Sequence, residues 1–76
     1  MQRLGTVDRT AQGLAIARVS GEYEPAIGNM VIDESLDTIG RVVDVFGPVD
    51  RPYVAITTDN DVNLATLLGE KLYVKD

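Results

Sequence analysis

The feature that most constrains the fold is a succession of six short apolar runs separated by Gly, Pro, Asn, Asp and Ser. Runs of this length between turn-forming residues are typical of β-strands. The predicted strands are 4–7, 14–19, 30–32, 39–46, 53–57 and 72–74. Six short strands in a 76-residue chain favour a closed all-β barrel, because closure removes the edges that would pair with other chains.

One segment, 61–68, is predicted to be a short helix before the last strand. Asn60 or Asp61 is expected to cap its amino end, and Gly69 can take the left-handed conformation after it. A helix of about two turns is not stable alone, so it needs contacts with the sheet. Three of its leucines are expected to close one end of the sheet: Leu64, Leu67 and Leu68.

We expect residues 1–76 to form one domain, because no linker, repeat or low-complexity segment interrupts the chain. The segment 20–28 is predicted to be a loop, since Pro25 cannot occupy a central strand. A domain this small buries only about 60% of the surface that its unfolded chain exposes. The sequence has no cysteine for a disulfide or a thiolate zinc site. Stable association with a partner is therefore expected.

Composition narrows the classes of partner. The formal net charge is −5, and no two of the seven Lys and Arg residues are adjacent. Direct nucleic-acid binding requires clustered cations, so it is disfavoured, whereas a basic protein partner is favoured. No stretch is apolar enough to cross a bilayer, and the first residues lack a signal-peptide pattern. We therefore expect a cytoplasmic protein without a membrane partner.

Groups for catalysis are missing from the sequence. Histidine is absent, so Ser20 and Ser35 have no triad partner. No glycine-rich phosphate loop can be drawn, so no cofactor or small-molecule substrate is expected. The cluster of Asp33, Glu34 and Asp37 falls in a polar turn, where carboxylates are normally solvated. The sequence predicts a protein that is not an enzyme.

A partial calcium-loop spacing occurs near the predicted helix. Asp59, Asp61 and Asn63 fall at the first, third and fifth places of such a loop, and Glu70 falls at the twelfth. Leu64, however, stands where that loop requires glycine for its sharp bend. A helix cap explains these polar residues better, so no metal is expected.

The fourth predicted strand carries large apolar side chains on both faces. Strict alternation places Val42 and Phe46 on one face, and Ile39, Val43 and Val45 on the other. Two interpretations remain open at this point. Either one face is core and the other is covered by loops or by the terminal helix, or the second face meets a partner protein.

The loop after this strand is suited to docking. Pro48 and Pro52 each fix a φ angle, which lowers the entropy lost when a partner binds. Gly47 permits a tight bend between the two strands. Phe46, Val49 and Tyr53 would supply the apolar contacts.

The run 39–49, Ile-Gly-Arg-Val-Val-Asp-Val-Phe-Gly-Pro-Val, followed by Pro52 and Tyr53, resembles the signature of the glycine–arginine-rich (Gar) proteins of H/ACA ribonucleoproteins. The resemblance extends from Leu4 to Lys75. The flanking segments that are also similar to this family are Gly28, Val31 and Asp33 before the run and 69–74 after it.

This resemblance implies a six-stranded barrel of the kind found in translation factors and reductases. It implies a noncatalytic subunit that binds a dyskerin-type pseudouridine synthase directly and helps substrate loading and product release during rRNA modification and ribosome biogenesis. Guide RNA and the other H/ACA proteins would be reached only through the assembled complex. The sequence has no Gly/Arg-rich tail, so it is similar to the archaeal type, and RNA contacts of such tails are not transferred.

We expect nine residues to form or support the surface that binds the synthase: Val45, Phe46, Gly47, Pro48, Val49, Pro52, Tyr53, Val43 and Ile39. The main alternative is a reaction-centre-type barrel of a ribosome maturation factor, whose partner would be a ribosomal protein. That domain resembles 40–45, but the downstream Gly-Pro-Val and Pro-Tyr are not expected there. A flavin-binding barrel enzyme is a third class, for which no phosphate-binding group is evident.

Overall fold

The structure, a computed structural model, describes residues 2–20 and 23–75. Its strands are β1 (Gln2–Ala11), β2 (Leu14–Val19), β3 (Met30–Ile32), β4 (Thr38–Phe46), β5 (Tyr53–Thr58) and β6 (Lys71–Val74). They form a closed barrel in the order β1-β2-β5-β4-β3-β6, and every pairing is antiparallel. The predicted all-β six-stranded barrel is confirmed. The predicted loop 20–28 contains no strand where it is described, and Gly21 and Glu22 lie outside the described residues.

The barrel interior is filled by side chains that point inward from all six strands, together with one leucine from the short helix. Small residues of β2, Ala15 and Ala17, are fully buried there. Alternation directs every second side chain inward where a strand is regular, and register shifts in β1 and β4 change this spacing. The core cluster comprises Leu4, Val7, Ala15, Ala17, Val31, Ile39, Val42, Val54, Ile56, Leu67, Leu72 and Val74.

Two glycines allow neighbouring strands to pass close to each other. A Cβ atom on Gly40 would lie 1.7 Å from the carbonyl oxygen of Thr57 in β5. A Cβ atom on Gly5 would lie 1.9 Å from the carbonyl oxygen of Arg18 in β2. Both oxygens belong to the backbone, which cannot move aside without disrupting the sheet. The barrel therefore depends on the missing side chains at these two positions.

The helix is shorter than predicted. A 3₁₀ turn spans only Leu64–Leu67, instead of 61–68. Its cap is Asn63, whose Oδ1 atom accepts a hydrogen bond from the Ala65 amide at 3.0 Å, so the prediction of Asn60 or Asp61 as the cap is wrong. So short a helical segment gains little from its own hydrogen bonds. The cap at Asn63 places the start of the turn after the predicted start at residue 61. No helix in the described part of the chain is long and apolar enough to cross a membrane.

The three leucines of this segment have different environments. Leu67 belongs to the core, and Leu64 packs against it. Leu68 is about half exposed, so the prediction that it closes the barrel end is wrong. The backbone becomes extended at Leu68, which turns its side chain away, and Gly69 follows with the expected positive φ of 80°.

The alternation predicted for β4 is wrong because the strand contains irregularities. Its register with β5 shifts between Val42 and Asp44, so Val43 is an extra residue. Such a bulge reverses the facing of every later residue. Val42 is 1% exposed and Val43 is 41% exposed, while Val45 is half-buried against the core. Val43 and Val45 therefore lie on opposite faces, contrary to the prediction.

Candidate protein-docking site

A groove of about 400 Å³ lies where β4 ends and the loop to β5 begins. One wall is this loop, and the other is the segment that precedes β3. The lining residues are Glu24, Pro25, Val45, Phe46, Gly47, Pro48, Val49 and Pro52. The structure thus brings together six of the nine residues predicted from the sequence. We call this groove the docking surface.

The loop of the docking surface is held in a tight conformation. Gly47 has a φ of 93°, a value that favours glycine. The Arg51 amide donates a hydrogen bond to the Pro48 carbonyl oxygen at 3.2 Å, which closes the turn. Val49 lies between these two residues and is 100% exposed. The turn therefore presents a large apolar side chain to solvent.

An aromatic pair supports this loop from the outer face of the barrel. The rings of Phe46 and Tyr53 stack with centroids 5.8 Å apart. Arg18 donates a hydrogen bond to the Tyr53 hydroxyl at 2.7 Å, and this bond raises the pKa of the Arg18 guanidinium. The guanidinium carbons of Arg9 and Arg18 lie 5.7 and 5.4 Å from the Tyr53 ring centroid. Tyr53 therefore orients Phe46 rather than lining the groove itself.

The second wall was missed by the sequence reasoning. The Gly28 amide donates to the Val42 carbonyl oxygen at 2.8 Å, and the Val42 amide donates to the Asn29 carbonyl oxygen at 3.0 Å. These bonds attach the segment to β4 at Val42. Ile27 lies in the turn that the Asn29 amide closes on the Ala26 carbonyl oxygen, and it is 70% exposed. The sequence around Pro25 indicates only a loop, because no local pattern shows which strand such a segment lies beside.

A side-chain clamp shapes this segment. The Tyr23 hydroxyl donates to Asn29 Oδ1, which also accepts a hydrogen bond from the Ala26 amide at 3.1 Å. The Asn29 amide in turn donates to the Ala26 carbonyl oxygen. Tyr23 packs against the core, and its burial raises the pKa of its phenol above 10. The neutral phenol is therefore the form that the folded state favours.

Replacing Tyr23 with phenylalanine is expected to flatten the loss of stability at alkaline pH. The folded pKa is raised, so the contribution of the phenol is complete below pH 10 and is lost as the pH rises through the folded pKa. Urea unfolding from pH 8 to 11 measures this slope for both proteins. An identical slope in the variant would show that Tyr23 is not the group responsible.

Ile39 and Val43, both predicted to contact the partner, differ in their exposure to solvent. Ile39 is 4% exposed and belongs to the core, so its assignment to the binding surface is corrected. The register of β3 with β4 shifts around it, which turns its side chain inward. Val43 is exposed but does not line the groove, so its role as an extension of the contact along the strand stays a prediction.

The opposite end of the barrel is acidic. A cleft of about 730 Å³ lies near the start of β4 and the end of β5. Its charged lining residues are Asp33, Asp37, Asp59, Asp61 and Glu70. Among residues 2–20 and 23–75, no group of three or more acidic, histidine or cysteine side chains is arranged to hold a metal ion. Asn63, part of the calcium-like spacing, serves as the helix cap.

Comparison with solved structures places the barrel among known folds. The chain is similar to a structure described as "Structure of the Gar1 domain of NAf1", with a TM-score of 0.74 and 23% sequence identity. The similarity covers 96% of this chain and 82% of that chain. At this level of sequence identity, the structural similarity shows a shared fold and nothing more.

Sequence comparison gives relatives from two archaea. An uncharacterized protein of Methanocaldococcus jannaschii is 46% identical over 52 residues, which are 68% of this chain and 60% of that protein, less than two thirds of its length. An uncharacterized protein of Methanothermobacter thermautotrophicus is 32% identical over 78 residues, covering 97% of this chain and 83% of that protein. A family profile described as "Gar1/Naf1 RNA binding region" matches residues 1–76. The chain therefore belongs to the Gar1/Naf1 family.

Proposed function

We propose that this chain is a noncatalytic Gar-type subunit that binds a dyskerin-type pseudouridine synthase through the docking surface. Membership in the Gar1/Naf1 family supports an H/ACA-associated role and disfavours the reaction-centre-type adaptor. The observation that carries the docking role is the exposed apolar groove whose loop presents Val49 to solvent. In this proposal residues 1–76 act as one domain in the cytoplasm of an archaeal cell.

The chemistry of the docking surface supports a protein partner. A contiguous group of large apolar side chains that a small barrel leaves exposed to water generally marks a contact surface. Three prolines in the groove walls, Pro25, Pro48 and Pro52, restrict the backbone before binding. Less conformational entropy is then lost when the partner docks. A few buried anchors on such a surface carry most of the binding energy.

The charge distribution supports a basic protein as the direct partner. The chain carries a net charge of −5, with five carboxylates around the cleft at the far end of the barrel. An enzyme that holds RNA has a positive surface, so an acidic subunit would meet it faster. The family is described as RNA binding, and in this proposal contact with guide RNA is made through the assembled complex.

A subunit without catalytic groups acts on the enzyme by changing its conformational equilibrium. By binding one position of a mobile element of the synthase more tightly, the chain would shift the population of that element. Such shifts control substrate loading and product release, which set the turnover rate of many enzymes. The proposal therefore assigns this chain an effect on turnover rather than on bond formation.

The direct test is co-purification of this chain with an archaeal dyskerin-type synthase after nuclease treatment. We expect a stable complex without RNA. Recovery of the complex only when RNA is present would contradict direct binding. A synthase that fails to bind under either condition would overturn the proposed function.

The effect on turnover is tested by measuring pseudouridine formation with and without this chain. We expect its omission to lower the multiple-turnover rate by about tenfold or more, and the single-turnover rate much less, because release rather than chemistry is affected. The control is the assembled complex with the Leu36→Asp variant, whose change lies at the acidic end. Equal losses in both regimes would assign the chain a role in the chemical step.

A further inference from the structure

One section of β4 has a backbone edge that β3 does not cover. β3 pairs with β4 only from Thr38 to Arg41. Beyond that, the Gly28–Asn29 segment bonds to Val42. Among residues 2–20 and 23–75, the backbone hydrogen bonds from this side of the sheet to β4 end at Val42. The strand itself continues to Phe46.

The bulge at Val43 determines which residue is exposed along this edge. Amide and carbonyl groups of successive residues in a strand point to alternate sides. Val42 directs its own groups toward the β3 side, and the extra residue gives Val45 the same direction. The Val45 amide donates to Oδ1 of Asp44 at 2.8 Å. A carboxylate of the preceding residue thus occupies the place where a neighbouring strand would put a carbonyl oxygen.

We propose that an extended, basic segment of the synthase adds to this edge as a strand and pairs with the backbone of Val45. Its carbonyl oxygen would replace Oδ1 of Asp44 as the acceptor for the Val45 amide. This inference rests on the proposed function and deepens it, because it names the form of the partner segment that the docking surface receives.

The surroundings of Val45 fit an added strand of this chemistry. Val45 lines the groove, so apolar side chains on one face of the incoming strand would enter it. Once released from the Val45 amide, the Asp44 carboxylate could form an ion pair with a lysine or arginine of the segment. Glu24 on the opposite wall could form a second one. Strand addition obtains affinity from main-chain hydrogen bonds and specificity from pockets for alternate side chains. Both elements are present at this edge.

Two substitutions of Asp44 separate strand addition from docking by side chains alone. Asp44→Asn and Asp44→Ala remove the same charge. Asparagine keeps an Oδ1 that can accept from the Val45 amide, whereas alanine leaves the amide free for the partner. We expect the alanine variant to bind the purified synthase about 3- to 10-fold more tightly than the asparagine variant, the worth of one exposed hydrogen bond. Equal affinities, or tighter binding by asparagine, would overturn strand addition.

Hydrogen exchange at Val45 gives a second readout that does not depend on a substitution. With isotope-labelled chain and unlabelled synthase, we expect the Val45 amide to exchange at least tenfold more slowly in the complex. Strand addition would be overturned if the Val45 amide exchanged equally fast in the free chain and in the complex. The proposed docking function would still stand in that case if Val49→Asp abolished binding. Failure of the unmodified chain to bind the synthase would overturn both.

Discussion

Replacing Gly40 with alanine is expected to lower the free energy of unfolding by about 3 kcal/mol or more. The added Cβ atom would lie 1.7 Å from the Thr57 carbonyl oxygen, far inside contact distance. To relieve this clash, β4 and β5 would have to separate where Gly40 pairs with Thr58. A domain of this length has only roughly 4–11 kcal/mol of stability in total, so a large share would be lost.

Urea and thermal unfolding measure this loss, and the expected fall in Tm is about 12–24 °C for a domain of this size. Gly13→Ala is the matched control. Gly13 has a φ of 78°, but a Cβ atom there would meet nothing within 4 Å. It should therefore lose only the backbone term, about 1–2 kcal/mol. An equal loss of stability in the two variants would show that the close approach of β4 and β5 at Gly40 does not destabilise the alanine variant.

Replacing Val49 with aspartate is expected to weaken binding of the synthase by about 30-fold or more, as loss of a central anchor does. Val49 is fully exposed at the tip of the loop, so the stability of the free chain should be unchanged. A buried, unpaired carboxylate in the interface adds a desolvation penalty to the lost apolar contact. Titration of the synthase with each purified variant measures the effect.

Leu36→Asp is the matched control for this experiment. Leu36 is also an exposed large hydrophobe, and its change adds the same charge, but it lies in the loop near the acidic end of the barrel. Its positive φ of 69° is a conformation that aspartate tolerates at least as well as leucine. We expect unchanged binding. Equal weakening by both substitutions would show that added charge, not the docking surface, is responsible.

The strands were largely predictable from sequence, and the bulges were not. The period of two and the turn residues located β2 and β3 at their observed bounds. The facing of Val43 and Val45 was mispredicted because a bulge breaks the period without any local signature. Ile39 was misplaced for the same reason. A bulge is determined by how two strands meet in the closed barrel, which depends on residues distant in sequence.

The candidate site was predictable on one wall only. The loop from Phe46 to Pro52 is contiguous in sequence, so its prolines and apolar residues could be recognised together. Glu24 and Pro25 join it because the Gly28 amide bonds to the Val42 carbonyl oxygen, and a strand and a loop separate these two residues in sequence. Arg9 and Arg18 lie beside Tyr53 only because β1 pairs with β2 and β2 pairs with β5. The sequence does not reveal these pairings.

The pairing of the first strand with the last has a consequence for how the chain folds. Gln2 lies opposite Val74, so the final seam of the barrel joins residues from the two ends of the sequence. Bringing such distant segments together costs about 4 kcal/mol of loop entropy before their contacts form. Folding should therefore be slow for so small a protein, in the range of milliseconds to seconds. Deleting either terminal strand would leave two open edges and a sheet prone to self-association.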